Sequence, residues 1–315
     1  MANNHPYLSI VIPVYMTENI IDELVKRISQ EVNRITENYE IILVDDGSRD
    51  QSWKIIKENY NSDDRVNGVR LSRNYGQHNA LLCGIRQAKY DLIVTLDDDL
   101  QNPPEEIPKL LEKMDEGYDV VYGYPKNEQH GIFRNLASVI TKLALRTTMG
   151  ITTARHVSSF RIFRTALRDS FSGYKGSFVS IDVLLSWGTK SFSAIPVNHE
   201  HRVEGKSNYT FRKLVNHAFN MVTGFSVLPL QIASMMGFLL SLFGFGVLVY
   251  VVGRYLFQGS PVPGFPFLAS IIAIFSGAQL LAIGIIGEYL ARIHFRMMDK
   301  PQYFINQKTN NSLQN

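Results

Sequence analysis

Asp91–Glu106 reads DLIVTLDDDLQNPPEE. The largely apolar, partly β-branched run Asp91–Leu96 predicts a buried strand, and Asp97, Asp98 and Asp99 follow where that strand ends. Pro103, Pro104, Glu105 and Glu106 then open a helix predicted over Pro104–Met114. An isolated Asp-Asp-Asp is ordinarily a solvated acidic turn. Here the strand before it and the proline-opened helix after it make the turn rigid, so three mutually repelling carboxylates are held together. Such a turn suits Mg2+ or Mn2+, which bind carboxylate and amide oxygens together with substrate phosphates.

The same alternation extends toward the N-terminus. Strands are predicted at Leu8–Val14, Glu40–Val44 and Val66–Leu71, and a further one at Asp119–Tyr122. Helices are predicted between them over Glu18–Ile35, Asp50–Glu58 and Gln77–Ala88. Strands alternating with helices predict an α/β, Rossmann-like doubly wound parallel sheet, in which ligands bind beyond the carboxyl ends of the strands. Four successive strands deliver polar residues to that edge: Pro13 and Tyr15 with Glu18, Asp45 and Asp46, Arg73–Gln77, and Asp97–Gln101. Asp45 and Asp46 could accept hydrogen bonds from a ribose or a base edge, while Ser48 and Asp50 suit the cap and turn of the next helix. Further along, a helix is predicted over Phe133–Thr147, a strand at Ser158–Phe163, a helix at Phe178–Trp187 and a strand at Phe192–His199.

The remainder of the chain differs in kind. From Leu214 to Gly287 the only Lys, Arg, Asp or Glu is Arg254. Two stretches, Val227–Phe257 and Phe265–Ala291, each exceed the ~20 residues that cross a bilayer. Arg202, Lys206, Arg212 and Lys213 precede them, Arg292, Arg296 and Lys300 follow, and the joining turn is uncharged. Positive charge at both flanks predicts a hairpin with both ends cytoplasmic. The expected organisation is thus a cytoplasmic catalytic domain over 1–207, an amphipathic interfacial helix over 208–225, a transmembrane hairpin over 226–292 and a cytoplasmic tail over 293–315. No signal peptide is apparent, and the single cysteine, Cys83, excludes an intrachain disulfide. A multi-pass protein of the inner or plasma membrane is expected. The formal net charge of +3 gives nucleic-acid binding no support, and no P-loop or G-x-G-x-x-G occurs.

Taken in order and spacing, IVIPVY, VDDGS, RNYGQ and DDDLQNPPE resemble inverting glycosyltransferases of the GT-A fold. With Ser159–Phe163, His201–Tyr209 and two C-terminal spans, the chain is similar to the polyprenyl-phosphate glycosyltransferases, relatives of dolichol-phosphate mannose synthase, and most to the bacterial glucosyltransferase group. The resemblance implies that Pro13, Tyr15, Glu18, Asp45, Asp46 and Gln77 line a nucleotide pocket, with Asp97, Asp98 and Lys126 near it. It implies that Asp99 and Gln101, with Asp97 beside them, hold a metal and the donor diphosphate. Arg134, Ser138 and Arg202 are implied to hold the acceptor phosphate. That phosphate, with a second pKa of about 6, arrives largely dianionic and needs no strong base. Asp182 is the remaining candidate base. The implied partners are a nucleotide sugar, UDP-glucose first and GDP-mannose or a modified UDP-pentose as alternatives, undecaprenyl phosphate, the membrane and further copies of the chain.

A processive polysaccharide synthase would carry Q-x-x-R-W, which is missing from this sequence. A transporter would need more intramembrane polar groups than Arg254. A catalytically silent nucleotide-sugar scaffold remains the alternative of another class.

Overall fold

The computed structural model describes residues 6–126, 156–176, 178–200, 228–258 and 264–310. These form two units, one from the residues before 201 together with 300–310, the other from the two long helices.

The first unit is built on a mixed sheet. Its strands are β1 (Leu8–Val14), β2 (Tyr39–Asp45), β3 (Val66–Leu71), β4 (Leu92–Thr95), β5 (Val120–Pro125), β6 (Arg161–Arg164), β7 (Phe192–Val197) and β8 (Ile305–Lys308). Their spatial order is β7-β5-β6-β4-β1-β2-β3-β8. The four central strands are parallel: β1 pairs with β2 and β4, and β2 with β3. β1 and β2 are buried at every position, as expected for strands covered on both faces. Helices α1 (Ile21–Val32), α2 (Ser52–Ser62), α3 (Gln77–Gln87) and α4 (Ile107–Asp115) alternate with the strands. α1 turns Ile21, Leu24, Val25, Ile28 and Val32 inward, a spacing of three and four that puts them on one helical face. A 3-10 turn, Pro104–Glu106, precedes α4, so the proline pair opens a tighter turn before the helix proper.

Two strands depart from a purely parallel sheet. β6 enters antiparallel between β4 and β5, and β8 antiparallel outside β3. β8 is the larger departure. Residues counted with the tail on sequence grounds supply the strand that covers the edge of the sheet. Short apolar patterning cannot reveal this, because Asn306, Gln307 and Lys308 are exposed and polar. A last helix, α5 (Ile181–Gly188), lies between β6 and β7.

The second unit is α6 (Leu228–Gln258) and α7 (Phe265–Met297), packed on each other. Pro229–Phe257 and Ile274–His294 are long and apolar enough to cross a bilayer, and apolar side chains such as Phe238, Leu242 and Leu280 are exposed. The amphipathic helix expected over 208–225 and the helix expected over Phe133–Thr147 lie outside the described residues.

Candidate active site

The carboxyl ends of β1, β2 and β4, together with the loop after β3, surround a cavity of about 230 Å3. Its walls include Pro13, Tyr15, Asp46, Asn74, Gly76, Gln77, Asp97, Asp98 and Asp99. Asp46, next after β2, accepts hydrogen bonds from the backbone N–H groups of Tyr75 (2.7 Å) and Gly76 (2.8 Å). It thereby fixes the Ser72–Gly76 loop at the cavity rim. Between Asp46 and Ser48 the chain needs Gly47. Its φ is +71°, and a Cβ there would lie 2.5 Å from the Arg73 carbonyl carbon.

Asp97 Oδ1 accepts from Gln77 Nε2 (2.5 Å) and Oδ2 from Ser159 Oγ (2.6 Å). Asp98 Oδ2 accepts from Tyr15 N–H (3.0 Å) and Thr17 Oγ1 (2.8 Å), tying the turn after β1 to the turn after β4. Asp99 is 5% exposed, and its Oδ1 accepts the Gln101 N–H at 3.1 Å. Leu100 between them has φ +58°, a left-handed conformation that costs a non-glycine residue about 1–2 kcal/mol. Its buried side chain offsets that cost and holds the turn, so the acidic run is set by packing beneath it.

Among the described residues the cavity walls hold four carboxylates and no Lys, Arg or His. Two of them have shifted pKa values. Burial pushes Asp46 up to about 6, opposed by its two backbone donors, and burial likewise pushes Asp98 up to about 6. Such a cavity suits a divalent cation arriving with a diphosphate. Among the described residues no three His, Cys, Asp or Glu side chains form a ready-made cage.

The sequence matches the family described as Glycosyl transferase family 2 over residues 9–172, just over half the chain. It is 35% identical over 303 residues to the undecaprenyl-phosphate 4-deoxy-4-formamido-L-arabinose transferase of Salmonella choleraesuis (strain SC-B67), covering 95% of this chain and 93% of that one. The enzyme of the same description from Salmonella paratyphi B matches with the same identity and coverage. This chain is a family 2 glycosyltransferase. It belongs with the polyprenyl-phosphate glycosyltransferases, as the motif order implied. The glucosyl-3-phosphoglycerate synthase of Mycobacterium tuberculosis, solved with Mn2+, UDP and phosphoglyceric acid, superposes with a TM-score of 0.51 at 18% identity, over 69% of this chain and 76% of that one. The fold is therefore GT-A.

Against that identification, the site residues named from the sequence divide into groups. Pro13, Tyr15, Asp46, Gln77, Asp97, Asp98 and Asp99 line the cavity of the glycosyltransferase. Asp45 points elsewhere. It is fully buried, accepts the Ser48 N–H at 2.8 Å and faces Arg70 Nε at 3.2 Å, while burial raises its pKa. Glu18 accepts the Gln51 N–H (2.6 Å) at the start of α2, and so works at that helix terminus. Lys126 is exposed just past β5. Gln101 is not a cavity wall, but its carbonyl accepts the N–H of Glu200 at 2.9 Å. Glu200 stands two positions before Arg202 in the sequence. Arg134, Ser138 and Arg202 themselves lie outside the described residues.

Asp182 sits in a different place. It is 5% exposed, paired with the buried guanidinium of Arg161, and its Oδ1 also accepts from Tyr122 Oη at 3.0 Å. Arg161 Nε in turn donates to Thr95 Oγ1 at 3.0 Å. The Asp182 carboxylate is thus occupied by a guanidinium and a phenol, and it joins α5 to β4, β5 and β6. Sequence reading missed Ser159 and Thr17 as partners of the acidic run. Neither carries a local signal, because the first reaches Asp97 only after β6 has been inserted beside β4.

Proposed function

We propose that this glycosyltransferase moves a modified pentose of the 4-deoxy-4-formamido-L-arabinose type from UDP onto undecaprenyl phosphate, with inversion at the anomeric carbon. The observation that carries the sugar assignment is the 35% identity running through 95% of the chain to enzymes described by that reaction. UDP-glucose, the first choice on sequence grounds, has no support among these relatives, and the pentose alternative fits them better.

In this reading Pro13, Tyr15 and Gln77 take the nucleotide, and Asp97 and Asp99, with Gln101 close by, hold Mg2+ or Mn2+ with the diphosphate. The ion would neutralise the charge that builds on the leaving diphosphate. The chain's own residues do the rest by placement. Asp46 keeps the Ser72–Gly76 loop against the nucleotide. Asp98 locks the β1 turn, and Ser159 and Gln77 hold both oxygens of Asp97 in a fixed direction. Arg134, Ser138 and Arg202 are assigned to the acceptor phosphate, a dianion that needs cations more than a base.

The hairpin of α6 and α7 is assigned to the bilayer. β7 precedes it, β8 follows it, and both belong to one sheet, which supports a hairpin whose two ends share a face. The basic residues on both flanks favour the cytoplasmic face of the inner membrane. Two slim spans favour assembly of several copies.

The test is transfer of label into an organic-soluble lipid by the purified full chain with undecaprenyl phosphate. Radiolabelled UDP-4-deoxy-4-formamido-L-arabinose, UDP-glucose and GDP-mannose are supplied separately, with Mn2+ or Mg2+ or with EDTA. Metal-dependent label from the pentose alone is expected. Label from UDP-glucose alone would replace the sugar assignment, and no label from any donor would favour a silent scaffold.

A further inference from the structure

The strand that follows the second apolar helix bears on the donor cavity. β8 begins eight residues after α7 ends, at Ile305 against Met297. It pairs antiparallel with β3 through Val69–Lys308, Arg70–Gln307 and Leu71–Ile305, and the register shifts between Arg70 and Leu71. Such bulges re-aim a chain where pairing ends. Here the pairing ends at the Ser72–Gly76 loop, whose Asn74 and Gly76 are cavity walls. The Ser72 N–H donates to the Phe304 carbonyl at 2.9 Å. The loop thus has two anchors, Asp46 through Tyr75 and Gly76, and Phe304 through Ser72.

The strand is itself held along its length. Trp53 Nε1 donates to Gln307 Oε1 at 2.7 Å, and Lys308 Nζ to Gln87 Oε1 at 2.8 Å. Thr309 closes on Gly68, with N–H to carbonyl at 3.0 Å and Oγ1 accepting the Gly68 N–H at 2.8 Å. Only glycine admits this approach, because a Cβ on Gly68 would lie 2.8 Å from Thr309 Cγ2 and 2.5 Å from Ile56 Cγ2. At the other end Arg86 donates to Gln302 Oε1 at 2.9 Å. Arg70, paired with Gln307, also donates to the Ser48 carbonyl at 3.1 Å, inside the turn that carries Asp46. One strand therefore bears on both anchors.

We propose that the C-terminal strand is a positioning element of the donor site: it holds the Ser72–Gly76 loop in the conformation that accepts the nucleoside diphosphate. Donor binding then depends on chain beyond the second apolar helix. This rests on the donor-site reading given under the proposed function.

The experiment measures UDP affinity in the presence of Mn2+ for the full chain and for a chain lacking residues 301–315, both in detergent. A synthetic peptide of residues 301–310 is then added to the shortened chain. Wild-type binding is the control for the site itself: if the full chain binds no UDP, the donor-site reading fails, whatever the strand does. Given wild-type binding, the expected result is a Kd raised about tenfold or more by truncation and restored by the peptide. Unchanged affinity, even with a lowered melting temperature, overturns the proposal by reducing the strand to edge protection. If the shortened chain does not fold, Gln307→Pro in the full chain puts the same question, since proline disrupts the ladder. Raised Kd and donor KM with little change in kcat support the proposal, and an unchanged Kd overturns it.

Discussion

Asp99 and Asp182 are equally buried, at 5% exposure each, and differ in what faces them. Asp182 meets the guanidinium of Arg161, itself 1% exposed, and the pair is completed by Tyr122 and Thr95. Asp99 shares a cavity with Asp46, Asp97 and Asp98, and the described residues of its walls include no Lys, Arg or His. The first arrangement is closed: charge is neutralised within the fold and nothing further is needed. The second gathers several carboxylates around a cavity, an arrangement that favours a cation there. Burial alone does not distinguish the two carboxylates; what each one faces does.

The largest effect that would sharpen this contrast is on transfer. Asp99→Asn is expected to lower the transfer rate by at least about a hundredfold, the scale of losing one preorganised electrostatic group, with the melting temperature little changed. Retained transfer in that variant would remove Asp99 from the reaction. The complementary experiment strikes the closed site. Arg161→Met leaves Asp182 buried without its partner and is expected to destabilise the first unit by about 3–5 kcal/mol in chemical denaturation. Asp182→Asn should likewise act on stability and leave the pH profile of transfer in place; a lost basic or acidic limb would instead make Asp182 a proton acceptor.

A smaller effect lies in the pH dependence of stability. Asp46 and Asp98 stand at about 6 in the folded chain against an ordinary 3.8. Between those values the folded state binds more protons than the unfolded one, so these groups lower stability as pH rises from about 4 to about 6. The metal-free protein should therefore melt at a higher temperature at pH 5 than at pH 7.5. Asp46→Asn should flatten that slope, and Mn2+ with UDP should raise the melting temperature most at the higher pH. A slope of the same size in Asp46→Asn would assign it to other groups. The smallest expected effect is at the exposed clasp of Arg27 with Glu105 (2.8 Å) and Glu200 (3.1 Å). Arg27→Ala should cost no more than about 1 kcal/mol, less at high salt. A larger loss would mean that the clasp secures the segment leading to Arg202.

Much of this protein was legible in its sequence, for identifiable reasons. The run DLIVTLDDDLQNPPE carries a strand period, a cluster of carboxylates and a helix start within fifteen residues, so the element and its chemistry are local. The same holds for the helix that places Ile21, Leu24, Val25 and Ile28 on one face, and for two stretches too apolar and too long for ordinary core helices. Which of two adjacent carboxylates faces the cavity was less accessible. Asp45 and Asp46 are chemically alike, and only the end of the β2 pleat turns Asp45 toward Arg70 and leaves Asp46 at the cavity.

Tertiary structure alone decided three further matters. Ser159 reaches Asp97 across 62 positions of chain, Arg161 reaches Asp182 after β6 has entered the sheet antiparallel, and the polar strand Ile305–Lys308 completes an edge formed some 235 residues earlier. The physical reason is common to all three. Periodicity and composition report the environment that a segment needs, whereas a hydrogen-bond partner or a strand neighbour supplied by distant chain leaves no mark on the local pattern.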